Sequence, residues 1–185
     1  KNSFTSFLYG ESKWRSTVEK REDCIDYLNG EISSYISRIM TYEKNERGGE
    51  LFSAYFTITG NIERIADHAM NICGYSSILE KKKIQLSQEA QEEIIAMQDI
   101  CEKLMEILLQ DDDEALNDLR KVPSIEQKID DMTETYRGNM LRRIKAGLCS
   151  EEGCILYSEM LTDFERIGDH ALNISEQLLA IYQAR

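Results

Sequence analysis

The stretch that decides the fold is used twice: residues 63–74 read E-R-I-A-D-H-A-M-N-I-C-G, and residues 165–174 read E-R-I-G-D-H-A-L-N-I. The copies are 102 positions apart, and Glu, Arg, Ile, Asp, His, Ala, Asn and Ile recur in the same order. In each copy the Glu and the Asp are four residues apart. A helix therefore places both carboxylates on one face, about 6 Å apart along its axis. The sequence predicts two helices with matching acidic stripes.

These acidic stripes border an apolar face. At about 100° per residue, each Asp falls about 40° from its Glu, whereas Met70 and Leu172 fall about 20° to the other side. The apolar arc of the first copy continues through Tyr55, Ile62, Ala66 and Ala69. At such a border, with an effective dielectric of about 20, two like charges repel by roughly 2–3 kcal/mol before any desolvation cost. We therefore expect cations to compensate each stripe.

A second motif repeats at nearly the same spacing. Residues 22–28 read E-D-C-I-D-Y-L and residues 126–132 read E-Q-K-I-D-D-M, 104 positions apart, and both follow the pattern E-x-x-I-D-x-apolar. Each half of the chain therefore provides two helices with a Glu/Asp pair at the edge of an apolar stripe. If these helices pack antiparallel, four carboxylates converge in each half.

Apolar periodicity and helix-boundary residues predict an all-α protein of long antiparallel helices in two tandem repeats. The predicted helices cover residues 16–45, 50–82, 88–110, 113–120, 124–148 and 151–182. The apolar stripe of the first consists of Val18, Ile25, Leu28, Ile32, Ile36 and Ile39. Gly48 and Gly49 are expected to end that helix. The next helix but one is expected to begin after Ser87, and caps are expected at Ser124 and Ser150. The repeats are residues 1–86 and 87–185, and the first lacks most of the counterpart of the 88–110 helix.

Composition and charge exclude several classes of partner. The chain has 185 residues with one Pro and ten Gly, which favours helices throughout. Its formal net charge of −12 argues against nucleic acid and an anionic membrane surface, since both attract basic patches. No stretch of uncharged apolar residues comes close to the length of about 20 that a membrane-spanning helix needs. The sequence begins K-N-S-F, without an initiator Met, so we expect it to be a piece of a longer protein. The five cysteines form no C-x-x-C pair, which predicts reduced core thiols in a cytosolic protein.

The candidate metal ligands are the motif carboxylates, because oxygen-only clusters suit hard or borderline cations such as Mg²⁺, Ca²⁺, Mn²⁺ and iron. Bridging carboxylates favour a multinuclear site over a single ion. The first candidates are Glu63, Asp67, Glu165 and Asp169. For these the alternative is a salt-bridge network with Arg64, Arg166 and arginines of neighbouring helices. The others are Glu22, Asp26, Glu126 and Asp130. For these four the non-metal alternative is stronger, since acidic residues in the first turn of a helix also interact favourably with the helix dipole.

The only two histidines, His68 and His170, occupy equivalent positions. They are either peripheral metal ligands or residues at the helix surface or between the bundles, and the sequence favours the second interpretation. Asn71 and Asn173 extend each stripe by one turn, as ligands or as hydrogen-bond partners of ligands. The chain lacks the E-x-x-H pattern of ferritin-like di-iron proteins, any Gly-rich phosphate loop and any Ser-His-Asp order.

The doubled motif resembles the E(D)-x-x-x-D signatures of the PhoU family of phosphate-uptake regulators, which are built as two similar three-helix bundles. The resemblance spans nearly all of the chain. The run I-D-Y-L-N-G-E-I-S-S-Y-I at residues 25–36, followed by N-I-E-R-I-A-D-H at residues 61–68, is more similar still to the PhoU-like region that follows the membrane domain in bacterial sodium-phosphate cotransporters.

The resemblance implies a regulatory domain of a sodium-dependent phosphate transporter and no enzyme activity. It places the domain at the cytoplasmic, inner face of the cell membrane. The partner is then a transporter domain upstream in the same polypeptide, or a separate transporter or sensor protein. Without its first helix, the first repeat would expose part of its hydrophobic core, and formation of a homodimer is one way to cover that surface.

For the site, the resemblance implies multinuclear metal binding by iron, or by zinc, magnesium, manganese or calcium. The implied ligands are Glu22, Asp26, Glu63 and Asp67 in the first half, and Glu126, Asp130, Glu165 and Asp169 in the second. Two alternatives stay open. One is a free-standing carboxylate-bridged metalloprotein or enzyme, and the other is a metal-free helical scaffold held by salt bridges.

Overall fold

The structure is a computed structural model and describes residues 15–43, 45–110 and 115–184. Within those residues every regular element is a helix, which confirms the predicted all-α class. The helices are α1 Arg15–Met40, α2 Glu46–Lys82, α3 Gln88–Leu108, α4 Ala115–Leu119, α5 Val122–Lys145 and α6 Glu151–Ala184. None of them contains a stretch long and apolar enough to cross a membrane. The first 14 residues of the predicted first repeat lie outside the described part.

Three of these helices begin after a residue whose side chain caps them. Asn45 accepts a hydrogen bond from the backbone N–H of Arg47 at 3.2 Å, at the start of α2. Ser87 and Ser150 each accept one from the N–H three residues further on, at 3.2 Å and 3.1 Å. Such bonds satisfy backbone donors that have no partner inside the helix. The helix start predicted after Ser87 and the cap predicted at Ser150 are therefore confirmed.

The helix break predicted at Gly48 and Gly49 is wrong. Both glycines lie in the first turn of α2, which begins at Glu46. A glycine inside a helix costs about 1 kcal/mol relative to alanine. The Asn45 cap and the extensive packing of α2 on α6 offset that cost. The break falls earlier, because α1 ends at Met40.

The cap predicted at Ser124 is also wrong, because α5 begins two residues earlier, at Val122. Pro123 stands in its first turn, where a missing backbone N–H costs no helical hydrogen bond. The Ser124 hydroxyl donates to the carbonyl of Lys121 at 2.8 Å. At the other end α5 stops at Lys145, and Gly147, with a φ of +66°, lets the chain turn toward α6.

Packing places the two motif helices against each other. The contact between α2 and α6 is the most extensive in the structure. These helices run antiparallel, because Asn61 meets His170 while His68 meets Asp163. On the outside α1 packs on α2 and α5 packs on α6, and α3 packs on both α5 and α6. The second repeat is therefore a three-helix bundle, whereas the first contributes α1 and α2 among the described residues.

The larger hydrophobic core lies in the second repeat. Its fully buried side chains include Ile94, Met97, Leu104, Ile129, Met160, Leu161 and Phe164. By contrast, α1 buries only Val18 and Ile36 of its predicted apolar stripe. Leu28 and Ile32 are exposed, because no third helix among the described residues packs on that side of the first repeat.

The cysteines differ from the prediction of reduced core thiols. Cys149 and Cys154 form a disulfide, with their Cα atoms 6.4 Å apart. It joins the turn after α5 to the first turns of α6. Cys73 and Cys101 are buried thiols as expected, whereas Cys24 is exposed. The prediction failed because the pairing depends on how the turn folds back onto α6, which the cysteine spacing alone does not encode.

Candidate metal centre

The structure gathers six of the eight predicted ligands into two equivalent groups. One group is Glu22, Asp26 and Asp67, and the other is Glu126, Asp130 and Asp169. Within each group, one carboxylate oxygen from every residue lies within 4.8 Å of the others. Each group joins an outer helix to a motif helix, α1 to α2 and α5 to α6. Since the two groups correspond through the internal repeat, the chain builds the same cluster twice.

Close packing of α5 on α6 supports the second group. A Cβ atom added to Gly168 would lie 3.2 Å from Cδ1 of Ile129 and 3.7 Å from Cγ of Glu126. Gly168 immediately precedes Asp169, so its missing side chain lets Glu126 approach the motif carboxylate. The equivalent residue beside Asp67 is Ala66. The first repeat thus carries a methyl group where the second carries none.

The two remaining predicted ligands, Glu63 and Glu165, lie outside these groups. Glu165 makes an ion pair with Arg137 of α5 at 3.0 Å. Glu63 is half-buried, and burial raises the pKa of its carboxyl, with the negative charges of Asp67 and Asp26 adding to the effect. Both residues therefore border the clusters at one turn's distance from Asp67 and Asp169.

The three carboxylates of the first group repel one another electrostatically. Burial raises the pKa of Glu22, and the neighbouring charges of Asp26 and Asp67 raise it further. Burial likewise raises the pKa of Asp67, again with Asp26 as the main neighbouring charge. No lysine or arginine among the described residues makes an ion pair with these three carboxylates. A proton or a metal cation is the remaining way to relieve their repulsion.

The second group carries the same repulsion but has a partial counter-charge. Burial raises the pKa of Glu126 and of Asp130, with Asp169 contributing to both shifts. Arg166 makes an ion pair with Asp169 at 3.0 Å. The salt-bridge alternative predicted from the sequence therefore accounts for one carboxylate of this group. It leaves Glu126 and Asp130 without a cationic partner in the described part of the chain.

The donor chemistry of both groups fits hard cations. Every ligand atom is a carboxylate oxygen, the type that Mg²⁺, Ca²⁺, Mn²⁺ and iron accept. Zinc fits these groups less well, since its protein sites usually include nitrogen or sulfur ligands. Neither group contains a thiol or an imidazole. The geometry of both groups suits binding of a cation.

The histidines lie between the two repeats. Nδ1 of His68 donates to Oδ1 of Asp163 at 2.6 Å, and Nδ1 of His170 donates to Oδ1 of Asn61 at 2.9 Å. The two imidazole rings stack, with centroids 5.5 Å apart and planes inclined by 20°. Burial lowers the pKa of His170, and the facing His68 adds to that effect. The predicted position between the bundles is confirmed.

The two motif asparagines complete this cluster. Asn71 donates to Oδ1 of Asp163 at 3.2 Å, and Asn173 donates to Oδ1 of Asn61 at 3.3 Å. They are hydrogen-bond partners of the inter-repeat acceptors. Asn61 and Asp163 themselves were missed in the sequence. The available signal was the same 102-residue offset, since both lie two positions before the motif Glu.

Comparisons with known proteins agree with this architecture. Residues 1–75 and 88–178 match the model of a protein family described as the PhoU domain. The chain is 26% identical over 167 residues to a protein of Thermotoga maritima named phosphate-specific transport system accessory protein PhoU homolog 1, covering 89% of this chain and 71% of the relative.

Solved structures share the fold. The phosphate transport system regulatory protein PhoU of Streptococcus pneumoniae superposes with a TM-score of 0.78 at 16% identity, over 100% of this chain and 86% of the other. PhoU of Pseudomonas aeruginosa superposes with the same TM-score of 0.78 at 15% identity, over 100% and 88%. These likenesses bear on the fold alone. With most of its length matched by the family model in two successive segments, and with the motif built twice, the chain belongs to the PhoU family.

Proposed function

We propose that the chain is a PhoU-type regulatory domain of a sodium-dependent phosphate transporter and acts at the cytoplasmic, inner face of the cell membrane. Membership of the PhoU family and the name of the Thermotoga relative support a role in phosphate transport. The likeness of residues 25–36 and 61–68 to sodium-phosphate cotransporters supports the sodium-dependent context. The partner is the transporter, upstream in the same polypeptide or as a separate protein. Residues 1–86 and 87–185 are the two repeats of the domain.

We further propose that the domain binds metal ions at its two carboxylate clusters. The observation that carries this proposal is the convergence of Glu22, Asp26 and Asp67, and of their repeat equivalents. Within the described part of the chain, only Asp169 of these six has a lysine or arginine partner. Within each cluster the negative charges repel one another, and this repulsion costs free energy unless a cation binds between them. Glu63 and Glu165, one turn away, supply further oxygens for a second, bridged ion. Iron, manganese, magnesium or calcium are the cations that suit this donor set.

The domain acts by binding and not by catalysis in this account. A metal held between α1 and α2, or between α5 and α6, couples the outer helix of each repeat to the motif helix. Metal occupancy then changes how rigidly the two helices of each pair are joined. Such coupling provides a regulatory signal, since a ligand that binds one arrangement more tightly shifts the population toward it.

A metal-free scaffold is the second candidate, and the ion pairs Arg166–Asp169 and Arg137–Glu165 favour it. Phosphate uptake separates the two candidates. In cells that carry the full transporter, Asp67→Ala together with Asp169→Ala removes metal-dependent control of uptake if metal binding regulates transport. The matched control is Asp131→Ala, an exposed carboxylate of α5 next to the cluster but outside it. Unaltered control of uptake in the double variant contradicts the proposal.

A further inference from the structure

The Cys149–Cys154 disulfide lines a small cavity beside the buried ion pair of the second repeat. The cavity has a volume of about 10 Å³, which is room for at most about one water molecule. Arg143 and Tyr157 also line it. Arg143 pairs with Glu93 at 2.7 Å, and both side chains are buried. Because Cys149 is partly exposed, the bridge forms part of the boundary between this cavity and solvent.

Three segments of the chain meet at this cavity. The α2–α3 connection contributes residues 85–87, the α5–α6 turn contributes Cys149 and Ser150, and α6 contributes its first turns. A Cβ atom added to Gly153 would lie 3.2 Å from Cγ2 of Ile84, so the connection packs tightly against α6. The bridge therefore holds the α5–α6 turn at the place where the ends of α2, α5 and α6 come together.

The fold of a repeat does not require this bridge. In α2 of the first repeat, the residue 102 positions before Cys154 is Phe52. The first repeat therefore has no cysteine at that place, yet α1 packs on α2 as α5 packs on α6. In the second repeat, backbone hydrogen bonds of 3.0 Å from the N–H groups of Gly147 and Leu148 to carbonyls of α5 also hold the turn. We therefore expect the chain to fold with or without the bridge.

The two sulfur atoms differ in accessibility and in setting. Cys149 is half-buried, whereas Cys154 is only 8% exposed, so an attacking thiolate reaches the sulfur of Cys149. Cys154 lies in the first turn of α6, where the positive end of the helix dipole stabilises a thiolate. Glu151 and Glu152 of the same turn are exposed, and solvent screens their opposing charge. A stabilised thiolate is the better leaving group in disulfide exchange, so both features favour release of Cys154.

The compartment determines how such a bridge behaves. Disulfides are rare in cytosolic proteins, and those that occur there are usually transient and catalytic or redox-sensing. The cytoplasmic setting of this chain rests on the proposed function, whereas the chemistry of the cysteine pair does not. In that setting a bridge that the fold does not require is a candidate for reversible reduction.

We propose that Cys149 and Cys154 form a reversible redox site that exchanges electrons with low-molecular-weight thiols. The thiolate of one such molecule attacks Sγ of Cys149 and forms a mixed disulfide, and the Cys149–Cys154 bond breaks with Cys154 leaving as a thiolate. A second small thiolate attacks the small molecule's sulfur in the mixed disulfide and releases Cys149. The protein gains two electrons and two protons, and the two small thiols leave joined as their own disulfide. The reverse reaction forms the bridge again.

Reduction removes the covalent link between the α5–α6 turn and α6. The end of α5 and the start of α6 are then joined by noncovalent contacts, so this end of the bundle opens more often and water gains access to Arg143 and Glu93. The same two helices hold the second carboxylate cluster, which contains Glu126, Asp130 and Asp169. The redox state of the bridge therefore sets how firmly the two helices of this cluster are joined at one end.

The test uses the full chain carrying Cys24→Ser, because Cys24 is an exposed thiol. The chain is equilibrated at increasing ratios of reduced to oxidised glutathione, quenched with acid, alkylated under denaturing conditions and mapped by mass spectrometry. Cys149 and Cys154 should become alkylated together, in one two-electron transition reached with millimolar glutathione. The buried thiols Cys73 and Cys101 are the internal control, since they should be alkylated at every ratio. A bridge that resists glutathione, as structural disulfides do, overturns the proposal.

Two single variants test which sulfur is attacked. In Cys154→Ser, oxidised glutathione should attach to Cys149. In Cys149→Ser, Cys154 should react at least about tenfold more slowly, because it is buried. Equal rates for the two variants overturn the assignment of Cys149 as the attacked sulfur.

Hydrogen exchange measured by mass spectrometry tests the consequence for the fold. Reduction should speed the exchange of amides in residues 143–157, and a chain with both Cys149→Ser and Cys154→Ser should show the fast pattern in reducing and oxidising buffer alike. Identical exchange of the oxidised and reduced wild-type chain overturns the link between the bridge and the helix ends. If glutathione titrates the pair but phosphate uptake ignores the Asp67/Asp169 double variant, the proposed function fails and the redox site stands. A bridge that resists glutathione in a chain whose uptake control depends on that double variant rejects the redox site alone.

Discussion

Asp163 of α6 accepts a hydrogen bond from His68 of α2 at 2.6 Å, whereas the residue equivalent to Asp163 in the other repeat is the neutral Asn61. The contact between the repeats is therefore symmetric in shape but not in charge. Asp163 is buried, and its carboxylate also accepts from Asn71. Burial, together with this carboxylate, raises the pKa of Tyr75 to about 12. One buried negative charge thus organises the polar groups on its side of the interface.

Asp163→Ala is expected to destabilise the chain by about 1–3 kcal/mol, because it removes a buried carboxylate that accepts hydrogen bonds from the half-buried His68 and from Asn71. Asn61→Ala is the matched control in the other repeat, and it should cost only about 0.5–1.5 kcal/mol, since a neutral acceptor is lost. Urea unfolding at pH 7 measures both. Equal losses for the two variants would show that the charge at Asp163 contributes nothing special.

Arg143→Ala is expected to cost about 3–5 kcal/mol, because it leaves the carboxylate of Glu93 buried without its cation. The two side chains pair at 2.7 Å, and both are about 5% exposed. Burial acts to raise the pKa of Glu93, but hydrogen bonds from Arg143, Tyr157 and Asn139 lower it overall. The neighbouring Arg142→Ala is the control, since its side chain is exposed and its ion pair with Glu89 contributes at most about 1 kcal/mol. Thermal or urea unfolding that ranks the two arginines equally would contradict this account.

Asp67→Asn is expected to stabilise the metal-free chain at pH 7 by about 0.5 kcal/mol, because it removes one member of a like-charge group. The pKa of Asp67 is raised in the folded protein above its ordinary value of 3.8. The folded state therefore binds the proton more readily than the unfolded state, and wild-type stability rises as the pH falls through that raised pKa. The advantage of Asp67→Asn should consequently shrink toward pH 4. A variant less stable than wild type at pH 7, in the presence of a chelator, would show that the cluster is not repulsive.

The thiols should react in three classes. Without a reductant, iodoacetamide should modify only Cys24 in the folded chain, because Cys149 and Cys154 are paired and the other two thiols are buried. Burial raises the pKa of Cys101 to about 12, which suppresses its reactive thiolate further. Cys154→Ser frees Cys149 and adds a second site of modification. Peptide mapping that finds Cys149 alkylated in the unreduced wild-type chain would rule out the disulfide.

The sequence was sufficient for the fold class and for the repeat, because helical periodicity and a duplicated motif are local signals. It also indicated which carboxylates share a helix face, since residues four apart do so whatever the tertiary packing. It did not indicate that Glu63 and Glu165 would lie outside the two groups that the structure brings together. It failed at Gly48 and Gly49, where the Asn45 cap and packing on α6 outweigh the weak helix propensity of glycine.

Other features depend on which helix covers which face, and no local pattern encodes that. The acceptors Asn61 and Asp163 look like ordinary polar positions until α2 and α6 are placed antiparallel. The exposure of Tyr55 and Ile62 likewise contradicts their place in an apolar arc, because the helix that covers the equivalent residues in the second repeat has no counterpart among the described residues of the first.

Calorimetric titration of the chelator-treated chain with Mn²⁺ or Fe²⁺ tests most directly whether the two carboxylate clusters hold metal ions. The wild-type chain should bind ions in both repeats, Asp67→Ala should lose binding in the first cluster, and Asp169→Ala should lose it in the second. With both substitutions together, no binding should remain. A double variant that binds as many ions as the wild-type chain would contradict the account, because the metal would then lie on other residues.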